Sequence, residues 1–104
     1  MTNLQAVKLP TKDDNGFGKS ERELLITIFE NGIDRIDGVH NLAKGKTRNR
    51  LMFEYLCGVH KTFVATNHPL ADYFTRLMVF VFQVRDPYEE SKAMIKMHKE
   101  AIEQ

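Results

Sequence analysis

The sequence predicts an all-α protein: a small four-helix bundle-like domain over residues 20–104, behind a flexible N-terminal arm at residues 1–19. Three observations predict it. Apolar residues recur at three- and four-residue steps over long stretches. Prolines, glycines and short polar residues stand where such stretches begin and end. No fixed-period repeat or low-complexity run interrupts them. With 104 residues the chain has room for one core. Its 42% hydrophobic and 28% charged residues place it in the ordinary globular range, which excludes disordered and collagenous classes.

The arm, MTNLQAVKLPTKDDNGFGKS up to Lys19, mixes Pro10, Asn15, Gly16 and Gly18 with charges, a composition that punctuates regular structure; Phe17 is its expected anchor. The first helix is expected from Ser20, whose hydroxyl and the Glu23 carboxylate have capping-box spacing. Its stripe of Leu25, Ile28, Phe29, Ile33, Ile36, Val39 and Ala43 predicts one helix running to about Ala43, with a break at Asn31-Gly32 as the competing reading. Lys44-Gly45-Lys46-Thr47-Arg48-Asn49-Arg50 then reads as a short interhelical turn, Gly45 closing one helix and Thr47 capping the next. The second helix is expected over about 48–66, its stripe Met52, Tyr55, Leu56, Val59, Phe63 and Val64 ending at Asn67-His68-Pro69.

Pro69 suits the first position of a third helix, carried by Leu70, Tyr73, Phe74, Leu77, Met78 and Val81. Residues 77–82 are apolar all round, so a buried strand competes there with a central helix. Asp86-Pro87-Tyr88-Glu89 repeats the logic of a cap, a proline and a carboxylate, and opens a fourth helix to the C-terminus. One face of that helix holds Tyr88, Ser91, Ile95, His98 and Ile102.

A formal net charge of +1 rules out any global field toward nucleic acid or membrane, so electrostatic function must be local. Locally, the charge is uneven. Between Asp37 and Asp72 the only acid is Glu54, whereas Lys44, Lys46, Arg48 and Arg50 alternate within seven residues. Cations at a helix start oppose its dipole and, together with the free amides there, suit an incoming anion. Lys44, Lys46, Thr47, Arg48 and Arg50 are therefore the expected phosphate- or anion-binding residues, with Lys61 and His40 as weaker candidates. Gly45-Lys46-Thr47 shares only a tripeptide with a P-loop and follows a helix, which excludes a nucleotide-hydrolase reading. The following Met52-Phe53-Glu54-Tyr55-Leu56 is poor in groups that read bases, so contact with phosphates fits better than a helix-turn-helix.

Cys57 is the only cysteine, which excludes an internal disulfide and a four-thiolate metal site. Cys57 and His60, and Asp34, Asp37 and His40, lie one helical turn apart, but no second pair completes a metal set. No metal or cofactor is expected. Ser20 and Ser91 lack a nucleophile's surroundings, and Cys57 with His60 is helix-bound, so no enzymatic activity is expected either. The first twenty residues lack a signal peptide's apolar run, and no uncharged segment reaches the roughly 20 apolar residues of a membrane span, so a cytoplasmic location is expected.

Seven Phe, three Tyr and five Met are more bulky apolar surface than four short helices hide. Phe53, Phe80 and Phe82 fall off the main stripes and are the expected oligomer or partner interface. The combined reading is a small regulatory or sequestering protein that self-associates and binds a phosphate-bearing partner, either a nucleic-acid backbone or a small nucleotide. The alternative is an adaptor or inhibitor whose basic segment and aromatic face bind an acidic partner protein.

Overall fold

Gly18 opens the first helix in the computed structural model, which describes residues 17–39 and 45–103. Its amide donates to Glu21 Oε1 at 2.6 Å and its carbonyl accepts from the Arg22 amide at 3.1 Å. The cap therefore sits two residues before Ser20, with Glu21 rather than Glu23 reaching back. Phe17 fixes this entry by packing edge-on against Tyr73, the ring centroids 5.1 Å apart, so the expected anchor is in place. The helix α1 runs Lys19–Val39 without a break. Leu25, Ile28, Phe29, Ile33 and Ile36 are buried along it, as the stripe requires. Gly32 does not interrupt α1 because it serves packing: a Cβ there would lie 2.7 Å from the Tyr55 ring and 2.8 Å from Met52 Cε. The absent side chain lets Tyr55 cross α1 and donate its hydroxyl to the Ile28 carbonyl at 2.9 Å. Residues 40–43, and with them His40 and Ala43, lie outside the described residues.

The second helix, α2, spans Gly45–Ala65 and corrects the expected turn over 44–50. Residues 45–50 are helical, and Gly45, at φ 55°, is the first residue of α2. Thr47 lies inside α2 instead of capping it. A polar run leaves no apolar periodicity to read, yet Arg48 and Asn49 gain partners on another helix that hold the turn helical. Met52 and Leu56 are buried, but Val64 is exposed. Asn67, at φ 55°, ends α2: its amide bonds the Val64 carbonyl at 3.1 Å and the His68 amide bonds that of Phe63 at 2.8 Å. This is a Schellman closure, and the His68 ring stacks on Phe63 at 4.1 Å where such a closure carries its side-chain contact.

Pro69 and Leu70 form a turn, and α3 spans Ala71–Arg76, two residues later than a proline at the first helical position would place it. The Ala71 amide already bonds the His68 carbonyl, so the proline completes the link from α2. Residues Leu77–Val81 continue as a π-helical turn, which decides between helix and strand. Leu77, Met78 and Val81 face the core while Val79 and Phe80 face out. The last helix, α4, spans Pro87–Glu103, where the cap, proline and carboxylates predict it.

The described residues thus form an all-α, bundle-like fold with no strand. Contacts at Arg22–His98 and Asp37–Tyr88 make α1 antiparallel to α4, its most extensive partner, and those of Gly32 with Tyr55 and Met52 join α1 to α2. No described helix is long and apolar enough to cross a membrane.

Candidate functional site

At one end of the bundle the starts of α2 and α4 meet the last turns of α1, and Tyr88 is the hub. Its hydroxyl donates to Asp37 Oδ1 at 2.7 Å, and its amide donates to Asn49 Oδ1 at 3.2 Å. The Arg48 guanidinium lies 4.0 Å from its ring centroid and the Lys92 ammonium 5.3 Å, both within cation–π range. Burial first, and then the hydrogen bond and charge of Asp37, push the Tyr88 hydroxyl above its ordinary pKa. It stays a neutral donor.

Around this hub the predicted anion-binding residues divide. Arg48 is half-buried against Tyr88, with Glu89 at 3.9 Å, so part of its role is to join α2 to α4. Lys46, Thr47 and Arg50 are exposed and have no side-chain partner among the described residues. Lys46 and Arg50 stand four residues apart, on one face of α2. Lys44 lies outside the described residues. The first turn of α2 holds no acid, so none of its own side chains offsets the partial positive charge of its amides. Chemically, this surface can accept a multiply charged anion, with cations supplying attraction and the Thr47 hydroxyl a directional bond.

The three predicted interface phenylalanines also divide. Phe53 and Phe82 are half-buried on each other, centroids 6.2 Å apart, so their off-stripe positions form a second intramolecular contact. Phe80 is 40% exposed, beside Val79 at 51%; Val84, just beyond the π-helical turn, is 80% exposed. The Phe53–Phe82 pair begins three residues along α2 from Arg50, so aromatic and basic surfaces adjoin on one helix.

No protein-family model, curated protein or solved structure matches this chain.

At the other end of α1 is a polar cluster that charge counting does not reveal. His98 is fully buried, and its Nδ1 accepts from Arg22 Nη1 at 3.0 Å. Because a guanidinium only donates, His98 is the Nε2–H tautomer, donating toward the Tyr73 hydroxyl at 3.3 Å. That hydroxyl in turn donates to Met94 Sδ at 3.0 Å. Burial, and next the charge of Arg22, lower the His98 pKa to about 4. The signal in the sequence was His98 on the apolar face of its helix. Its partner Arg22 lies far away in the chain.

The Cys57–His60 pair does not converge. His60 Nε2 bonds Thr75 Oγ1 at 2.8 Å, and Cys57 Sγ lies 3.7 Å from Met78 Sδ. Burial raises the Cys57 thiol above its ordinary pKa, the opposite of an activated nucleophile. Among the described residues no three His, Cys, Asp or Glu side chains gather to hold a metal ion.

Proposed function

We propose that this chain is a small, non-enzymatic binding protein that self-associates and takes a phosphate-bearing partner on the first two turns of α2. The reading rests on one observation: Lys46 and Arg50 share an exposed face above a helix start that contains no acid. Thr47 adjoins them, and Arg48, held over Tyr88 on the other side of α2, adds its charge at the helix start. The partner class is a nucleic-acid backbone or a small nucleotide, and a protein of this kind regulates or sequesters what it binds.

Fluorescence anisotropy with a labelled single-stranded oligonucleotide, competed by a nucleotide and repeated over a salt series, tests it. An extended backbone releases many counterions and gives a steep salt dependence, whereas a compact nucleotide gives a shallow one. Lys46→Ala with Arg50→Ala should weaken binding at least tenfold and, on this single-stranded probe, reduce the log–log salt slope by about 1.4. Unchanged affinity in that variant refutes the site.

A second reading has an observation of its own. The exposed Val79, Phe80 and Val84 supply apolar surface of the kind that anchors protein interfaces, so an adaptor that docks an acidic protein across this surface and the start of α2 is the alternative. Phe80→Asp would abolish that interaction and leave oligonucleotide binding intact.

A further inference from the structure

Between α1 and α2 runs an open groove of about 520 Å³, lined by Leu24, Ile28, Tyr55, Gly58, Val59 and Phe63, with Arg35 and Glu54 at one end. Gly58 forms part of its wall on the exposed face of α2. Glycine weakens a helix interior relative to alanine, so its presence calls for a spatial reason. Gly32 has one within the chain. Gly58 does not: a Cβ there meets nothing within 4 Å. The space that glycine keeps open is thus available to atoms of another molecule.

The charges beside Gly58 select the occupant. Glu54 precedes it by four residues and Lys61 follows it by three, both exposed and neither in an ion pair among the described residues. By helical geometry both lie on the same flank of Gly58, one on either side along the axis. A two-fold axis at right angles to α2, passing beside Gly58 between the two copies, reverses the helix direction but preserves the flank. It therefore brings Glu54 of one copy level with Lys61 of the other, twice over. A partner helix bearing one sign of charge would repel one of these two groups; an identical helix run antiparallel matches both.

We propose that this groove seats a second copy of the chain, two α2 helices crossing antiparallel at Gly58 with Glu54 and Lys61 paired reciprocally. The proposal rests on the self-association in the reading above and gives it a surface distinct from Phe80. Sedimentation velocity of the full chain at low salt, over a dilution series, tests it. The parent should be a dimer that dissociates on dilution. Glu54→Lys or Lys61→Glu alone should each weaken dimerisation about tenfold, through like charges brought face to face. An equimolar mixture of the two variants should recover dimer, because each then offers the charge the other lacks. Gly58→Leu should abolish the dimer while its circular-dichroism melting temperature, compared at a dilution where the parent is itself monomeric, does not fall. Dimers indifferent to all these changes but lost with Phe80→Asp overturn the groove and leave self-association standing. A monomer at every concentration overturns both.

Discussion

Near each end of α1 an arginine lies beside an aromatic side chain, Arg22 of α1 itself at one end and Arg48 of α2 at the other, and the same residue type is put to opposite uses. Arg22 is 7% exposed and is consumed by the buried His98, whose other nitrogen leads on to Tyr73. Arg48 lies half-exposed over Tyr88, and Lys46 and Arg50, on another face of the same helix turns, have no partner among the described residues. Burial makes the difference. A cation taken out of water must be matched within the fold, so the first end is committed to stability. A cation left at the surface is worth little to stability and remains available to a ligand.

The largest effect that sharpens this contrast is acid destabilisation of the closed end. His98 has a folded pKa of about 4 against an ordinary 6.5, so between those values the unfolded chain binds the proton and the folded chain does not. Stability should be complete above pH 6.5 and fall as pH drops toward and through 4, by about 3 kcal/mol in all. Urea unfolding at pH 7 and pH 4 measures the fall. His98→Gln, which can still accept from Arg22, should remove most of the difference between the two.

A smaller loss is expected at the open end. Tyr88→Phe keeps the ring under Arg48 but deletes the bond to Asp37, and should cost about 1 kcal/mol in urea unfolding at neutral pH. A loss as large as that at His98 would make the open end structural too and erase the contrast. The smallest effect has the opposite sign. Lys46→Glu gives the start of α2 an acid like those in the first turn of α4, and should raise stability by about 0.5 kcal/mol while weakening oligonucleotide binding. Coupled loss of both would show Lys46 to be a structural residue.

The same division sets what could be read in advance. The body of α1 and all of α4 are legible because their apolar stripes are long, and α4 carries cap chemistry at its start, whereas the cap of α1 lies at Gly18, two residues before the Ser20 that the sequence points to. The start of α2 has the sequence of a turn, since a helix held by Arg48 on Tyr88 and Asn49 on its amide leaves no periodic trace. Lys46, Thr47 and Arg50 were legible as a basic segment from local charge alone. That Arg48 would be half engaged, and Phe53 spent on Phe82, depends on pairings between distant residues that no local pattern records. Residues 77–82 were ambiguous because a short, uniformly apolar run has no period; the structure resolves them with a turn wider than either alternative.

That wide turn is a matter of chain length. A π-helical turn contains one residue more than an α-helix of the same height needs. The Phe82 amide reaching back to the Leu77 carbonyl at 3.0 Å marks the surplus. Leu77, Met78 and Val81 keep their places in the core, and the excess is taken up on the outer side, where Val79 and Phe80 emerge. The apolar surface at this point therefore follows from a count of residues between two fixed anchors, and a chain shorter by one there would draw the segment back into ordinary helical register.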